Sequence, residues 1–517
     1  MHLLPLLTLC MLVQIDADIP TPPAKLIVCG SSIVNEEGNE VMLRGMNMDC
    51  YYYLYDSDPE APFDYASEED IEYLAGIGCN SLRLCLNWKM FETDAGFRLI
   101  DDYLSWCEPL GIYIILDMHI VPPGSRASDR GIWSSADARD QLCELWRSIA
   151  LRYADLACIA GYDLFNEPSP PEAQQWWDLS HCIAGAIREV DSNHILFIES
   201  SSWNGAGLRL IDDPNVVYSF HSYEPFVVSH ATASWPGDSP VPDAYSYPGA
   251  VLTGMQWVGW SSGVTRLNRS TSDWIYWESG VITVPRGVEW VSIKVQASGD
   301  VGSVLFDGLQ LLQNGTEQEV VNRDIEEISY RRPGQPSSWY FYRDSGDFEG
   351  TFSDDSFTGT GSLGITGSGG SGSWIQTRSF YTGPLFQVKP GDALEVSGMI
   401  KAPENMGEIM LGLDYLRGNY ENYDLNRLRD GIQDIIDWAR SSNVPLYIGE
   451  FGALPGSDPQ SRYNFVTDWL RVMNDEGLHW AFWTYRNPDE QAFGLWYHHS
   501  VLDSRLADIL SAAYGVY

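Results

Sequence analysis

The fold class this chain of 517 residues predicts is α/β, a closed (β/α)₈ TIM barrel with an all-β domain inserted after barrel strand 6. Three observations predict it. Eight short apolar runs alternate with amphipathic stretches, which is the pattern of βα units. The runs are apolar throughout, as strands covered on both faces must be, and eight of them point to a closed barrel. The alternation breaks once, between Tyr223 and Asp424. That gap far exceeds an ordinary βα loop of about 2–6 residues.

The strand candidates are Val41–Met48, Ser81–Asn87, Tyr113–His119, Ala160–Asn166, His194–Ser200, Val216–Tyr223, Pro445–Gly452 and Trp480–Arg486. Helical periodicity falls between most of them, as in Glu68–Gly76, Ala136–Tyr153, Glu172–Val190, Leu425–Ser441 and Gln460–Glu476. The interruption is rich in Gly, Ser, Thr, Val and Trp. Its runs Glu289–Gln296, Ser303–Leu309, Gly372–Thr377 and Ala393–Ile400 alternate as antiparallel strands of a sandwich do. The expected organisation is a signal segment at 1–20, a first barrel part at 25–238, the insert at 239–420 and a last barrel part at 421–517. Barrel sites lie at the C-terminal strand ends, so an insert leaving strand 6 stands beside the cleft.

Composition excludes several function classes. The net charge of −40 repels nucleic acid phosphates, anionic membranes and polyuronate substrates. Only five bases are Lys against 71 acids, a balance that salt screening favours. The first residues, MHLLPLLTLCMLVQ, are too short to span a bilayer and sit where a signal h-region belongs, so export is expected. That run has no Lys or Arg before it and no A-x-A site after it. All nine Cys lie between Cys10 and Cys182, and no C-x-x-C occurs, so neither zinc nor a disulfide scaffold is indicated. The sequence does not choose among Cys pairings.

Two Glu residues carry the chemistry. Cleavage of a glycosidic bond needs two carboxyl groups facing each other across the sugar, on different strands. Asn166-Glu167-Pro168 ends strand 4 in GYDLFNEP, and Glu450 ends strand 7 in PLYIGEFGA. Pro168 cannot continue a ladder, so the strand should stop where Glu167 enters the cleft.

With these residues placed, the barrel resembles glycoside hydrolase family 5, within the clan of (β/α)₈ retaining enzymes. The family pattern is matched by Arg83 in SLRLCLNW, His119 in ILDMH, Asn166 and Glu167, His221 and Tyr223 in YSFHSYEPF, Glu450, and Trp483 in AFWTYRNP. The resemblance covers about residues 30–230 and 424–515. It implies Glu167 as acid/base and Glu450 as nucleophile. Glu167 then needs surroundings that raise its pKa. Arg83 holds Glu450 charged, Tyr223 donates to Glu450, and Asn166 meets the sugar 2-hydroxyl. His221 orients Glu167, His119 contacts a hydroxyl, and Trp483 lies under the reacting sugar. Tyr51, Tyr52, Tyr53, Tyr55, Trp88, Trp203 and Trp235 fall in loops, where they either extend the cleft or pack.

The insert resembles a jelly-roll carbohydrate-binding module of the family 4 and 9 type, with its order permuted. VITVPRGVEWVSIKVQASGDVGSVLFDGLQL matches the last strands, and GTGSLGITGSGGSGSWIQTRSF with FQVKPGDALEVSGMIKA matches the first half. Trp257, Trp260, Trp274, Trp277, Trp339 and Trp374 are its candidate platforms, and Asp307 its candidate ligand for a structural Ca²⁺. No metal or cofactor is expected for the chemistry itself. The expectation is a secreted endo-β-1,4-glucanase of the cellulase type acting on poly- or oligosaccharide. β-Mannanase, β-1,3-glucanase, β-glucosidase and a non-catalytic glycan-binding protein remain the alternatives.

Overall fold

The computed structural model describes residues 22–48, 66–124, 131–233, 241, 243, 245–261, 266–329, 334–376, 386–456, 458–486, 493–497 and 501–515. The expected signal segment, the loop tyrosines 51–53 and 55, and Trp235 lie outside these residues.

Eight parallel strands form the barrel: β1 (Arg44–Met48), β2 (Ser81–Asn87), β3 (Tyr113–Ile120), β4 (Ile159–Asp163), β5 (Ile195–Glu199), β6 (Val216–His221), β7 (Leu446–Phe451) and β8 (His479–Phe482). Each pairs with the next, β8 returns to β1, and β6 pairs with β7 across the long interruption. Helices follow most strands, but none among the described residues lies between β5 and β6. The helix Leu425–Ser442 opens directly after the insert. Asp424 caps it by accepting the Arg427 N–H, and Asn443 closes it in the left-handed region.

Period-two alternation sorts the strand residues. Leu82, Leu84, Leu86, Ile114, Leu116 and Met118 pack outward into the core shared with the helices. Their neighbours face the barrel interior. The lower interior is apolar, with Ile115, Phe197, Val217, Tyr447 and Ala481 sealed by Leu26 and Ile33 of the hairpin Leu26–Cys29/Ser32–Asn35. Above that layer the interior becomes polar and charged, with Asn47, Arg83, Asp117, Asp163, Glu199, His221 and Glu450 all buried.

Two departures from regular alternation shape the upper end. Strand 4 ends at Asp163, three residues before its expected end at Asn166. The chain then bends, and Glu167 adopts φ 48°, a left-handed conformation no ladder accepts. On β7, Ile448 packs outward, so strict alternation would send Glu450 outward too. The register slips between Ile448 and Glu450, and this irregularity turns Glu450 inward. Gly449, just before it, leaves room for the His221 ring: a Cβ there would stand 3.0 Å from His221 Nε2.

The insert is an antiparallel sheet of 11 strands folded around its own apolar core. The two expected strands Glu289–Gln296 and Ser303–Leu309 are one long strand, Trp290–Gln313, whose pairing with Ser362–Gln376 slips between Gly299 and Val304. Gly in that stretch weakens alternation without ending the strand, which explains the split reading. The first strand, Gly249–Trp260, and the last, Glu408–Tyr423, pair from Gly249↔Tyr423 to Trp260↔Asp414. The insert therefore leaves and re-enters the barrel through a single ladder.

Candidate active site

Arg83 organises the upper barrel. Its guanidinium donates to Asp163 Oδ2 at 2.8 Å, Glu450 Oε1 at 2.9 Å, Asn166 Oδ1 at 2.9 Å and Asn47 Oδ1 at 3.1 Å. Nη2 also lies 3.1 Å from Asp117 and 3.4 Å from Glu199. The planar fork reaches strands β1, β3, β4, β5 and β7 at once, which a Lys ammonium cannot do. Asn47 in turn donates to the Gly449 carbonyl at 2.8 Å, fixing the bend that carries Glu450.

Glu450 receives a second donor on its other oxygen, Tyr223 Oη at 2.9 Å. Burial, and then the negative charges of Glu450 and Glu167, hold the Tyr223 phenol well above its usual pKa, so it remains a donor. His221 Nδ1 stands 2.9 Å from Glu167 Oε1 and 3.5 Å from Glu450 Oε2, while its Nε2 lies 3.1 Å from Glu199. Burial works against a charged imidazole here, but Glu199 and Glu450 outweigh it and raise His221 well above its ordinary pKa.

The buried carboxyl groups divide the available cation charge. Burial alone would raise Asp117, yet Arg83 and His119 hold it below the usual carboxylate range. Asp163 is pushed up to about 8, because burial and the neighbouring Asp117 and Glu199 prevail over Arg83. Glu199 is also raised, by burial opposed chiefly by His221. Four acids around one guanidinium cannot all ionise cheaply.

One oxygen each from Glu167 and Glu450 and one His221 nitrogen all lie within 4.8 Å of one another. The Glu167 side chain is 34% exposed and that of Glu450 only 7%. Glu167 thus faces the cleft opening while Glu450 sits below it. His119 Nδ1 bonds Asp117 at 2.7 Å, and its ring stacks on Trp483 at 5.5 Å. Trp88, Trp203 and Phe226 pack against the apolar cluster that holds Tyr223 and Trp483. All eight residues singled out in the sequence therefore converge on one end of the barrel.

Sequence reasoning missed Asn47, Asp117, Asp163 and Glu199. A signal existed for three of them. Each acid interrupts an otherwise apolar strand, and a buried carboxylate needs a cation or a proton.

In the insert, Trp339 and Trp374 are fully buried core residues and not platforms, because the sheet folds their side of the strand inward. Trp257 and Trp260 are 59% and 36% exposed. Lys294 Nζ lies 3.8 Å from Asp414 and 5.8 Å from the centre of the Trp260 ring. Gln296 donates to Asp344 at 2.9 Å, and exposed Tyr342 sits on the strand beyond. Asp307 accepts the N–H groups of Gly308, Phe357 and Thr358 within 2.8 Å, so its oxygens anchor a loop.

A family model described as Cellulase (glycosyl hydrolase family 5) matches residues 34–270 and 403–489. Endoglucanase C of Acetivibrio thermocellus is 30% identical over 207 residues, covering 37% of this chain and 60% of that protein. A beta-xylosidase of Phanerodontia chrysosporium is 30% identical over 267 residues, covering 40% and 56%. The chain thus spans little more than half the length of these relatives. A crystal structure of a glycoside hydrolase aligns with TM-score 0.51 at 15% identity, over 92% of this chain and 99% of that one, which is a likeness of fold. The family match covers more than half of the sequence, breaks only inside the insert and takes in every convergent residue, and the chain belongs to glycosyl hydrolase family 5, the cellulase family.

Proposed function

We propose that the protein is a retaining β-glycoside hydrolase, an endo-β-1,4-glucanase, with Glu450 as nucleophile and Glu167 as acid/base. The carrying observation is the close approach of the two carboxyl groups, with oxygens within 4.8 Å. Retaining enzymes keep the pair about 5–5.5 Å apart, whereas inverting ones leave about 6.5–9.5 Å for a water. Endoglucanases among the relatives support the substrate class.

In the first step a Glu450 oxygen bonds to the anomeric carbon. The glycosidic C–O bond breaks, and its electron pair leaves on an oxygen that takes the Glu167 proton. In the second step Glu167, now a carboxylate, takes a proton from water as the water oxygen bonds to the same carbon. Glu450 departs with its charge restored. Arg83 and Tyr223 stabilise that charge, and Asn166, its Oδ1 engaged by Arg83, has its amide N–H groups left to donate to a sugar hydroxyl. No cofactor enters this scheme.

The test uses cellulose, mixed-linkage glucan, mannan, xylan and laminarin as substrates, with sized products and the anomer of the first product read by NMR. Internal cleavage of β-1,4-glucans with retention is expected. An inverted first product overturns the mechanism, and xylose or glucose released singly from chain ends overturns the endo-glucanase assignment. Glu450→Gln should lose turnover and keep glycan binding.

The insert is proposed as the part that holds the polymer. Trp257, Trp260 and Tyr342 flank the polar strip of Lys294, Gln296, Asp344 and Asp414, a combination suited to a sugar chain. Such a surface raises the local concentration of polymer beside the cleft. Excising 255–417 and closing the ladder with a tight turn should spare aryl-glycoside turnover and lower turnover of polymer. Equal loss on both substrates, or none on either, sinks this role. Export of the chain is proposed on the N-terminal apolar run, and no helix among the described residues is long and apolar enough to cross a membrane.

A further inference from the structure

Glu199 ends β5 and is almost wholly buried, and the scheme above gives it no task. Two of its side-chain contacts lead to Glu167. Oε2 accepts the backbone N–H of Glu167 at 3.0 Å. Oε1 lies 3.1 Å from His221 Nε2, and the opposite nitrogen of that ring stands 2.9 Å from the Glu167 carboxyl. Its main-chain carbonyl is pinned by Trp176 Nε1 at 2.8 Å, and Arg83 Nη2 lies 3.4 Å from its carboxylate.

Glu167 requires such support. A non-glycine residue with positive φ is uncommon and persists only where its surroundings hold it. Pro168 follows it and supplies no N–H. The hydrogen bond from the Glu167 N–H to Glu199 anchors the left-handed turn from inside the barrel. His221 then fixes the far end of the same side chain. One carboxylate thus reaches Glu167 at its backbone directly and at its carboxyl through an imidazole.

We infer that Glu199 is a positioning residue for Glu167, setting the backbone and carboxyl direction from which the proton is delivered to the leaving oxygen. This rests on the assignment of Glu167 as acid/base. Glu199 touches no reacting atom and would act only through steps in which Glu167 moves a proton.

That restriction makes the inference testable with aryl β-cellobiosides of graded leaving group. A 2,4-dinitrophenolate departs without a proton, whereas phenol and 4-methylumbelliferone need one to different degrees. The ratio kcat/KM reports the first, bond-breaking step. In Glu199→Ala it should fall about 10- to 100-fold for phenyl cellobioside, the loss expected when a general acid is misplaced by about an ångström. For the dinitrophenyl substrate it should stay within about threefold of wild type. In the Glu167→Ala control azide should raise kcat on the dinitrophenyl substrate and yield a glycosyl azide, because the carboxylate that excludes the anion is gone. Glu199→Gln, of the same shape, carries the test if Glu199→Ala does not fold by near-UV circular dichroism.

Equal losses on both substrates would mean that Glu199 merely supports the Arg83 cluster, and the inference falls. No loss on either also refutes it. Glu167→Ala, run in parallel, separates the two readings. If that control itself lacks leaving-group dependence, the acid/base assignment is wrong. If it has the dependence and the Glu199 variants do not, only the positioning role is wrong.

Discussion

Replacing Tyr223 by Phe removes one oxygen and little else. The ring packs edge-on against His230 at 5.0 Å and Phe493 at 5.7 Å, contacts a phenylalanine keeps. Glu450 Oε1 keeps Arg83, while Oε2 loses its donor at 2.9 Å and retains only His221 at 3.5 Å. A hydrogen bond to a charged group contributes about 1.5–3 kcal/mol. The sign depends on the step. As Glu450 bonds to the sugar its charge falls, so the lost donor matters little for forming the glycosyl-enzyme. As the intermediate breaks down the carboxylate charge returns, and the missing donor raises that barrier. At about 1.4 kcal/mol per tenfold, breakdown slows roughly 10- to 150-fold. With 2,4-dinitrophenyl β-cellobioside, kcat and KM should fall together while kcat/KM holds. Rapid mixing should give a burst of nearly one dinitrophenolate per enzyme. Because Tyr223 is held protonated far above its usual range, the ratio of wild-type to variant kcat should stay flat between about pH 5 and 9. A fall in kcat with unchanged KM and no burst would refute the argument.

Three further outcomes follow from the charges and thiols. Asp163 carries its proton to about pH 8 in the folded chain but only to its ordinary value of 3.8 unfolded, so unfolding releases a proton and wild-type stability declines as pH rises between those values. Asp163→Asn lacks that decline: its Tm relative to wild type should climb from about pH 4 to pH 8 and then level, and parallel curves would overturn the assignment. Cys143 on the helix Ala136–Tyr153 and Cys182 on the helix Ala173–Arg188 are free thiols that face each other with sulfurs 2.6 Å apart. Protein from an oxidising compartment should carry a disulfide there, gaining about 2 Da on reduction and losing about 4 kcal/mol for a closed loop of 39 residues, whereas alkylation of both thiols in unreduced protein would exclude the bond. With a net charge of −40, Tm should hold or rise in 1 M NaCl, where screening acts beyond about 3 Å, and a steep fall would count against charge repulsion as a limit on stability.

The barrel was legible from its eight apolar runs and the two Glu from the strands they close, whereas the other six convergent residues were legible through the resemblance to glycoside hydrolase family 5. Arg83 and His119, once singled out by that resemblance, point inward where period-two alternation puts them. Glu450 was found from its position at a strand end and not from alternation, which the irregularity in β7 breaks. Glu199 escaped because a single Glu closing an apolar run carries no family signature, and its task depends on the backbone of Glu167, invisible in sequence. Alternation in the insert did not separate Trp260 from Trp374, since both lie on strands with a buried face and the fold alone decides which face is covered. The Cys143–Cys182 pairing depends on how two helices rotate against each other, which spacing does not encode.

The ladder that joins Gly249–Trp260 to Glu408–Tyr423 also bears on how the chain folds. β7 and β8 must find β6 and β1 across the whole insert. Were that segment a loose coil of about 170 residues, closing it would cost about 2–3 kcal/mol more than closing a loop of about ten. A folded insert delivers its two ends side by side, Gly249 against Tyr423, and removes most of that cost in advance. The barrel then assembles as though its two segments were nearly contiguous. Mutations that loosen the apolar core around Ile293, Phe306 and Leu411 should therefore slow barrel closure, at a distance from every barrel strand.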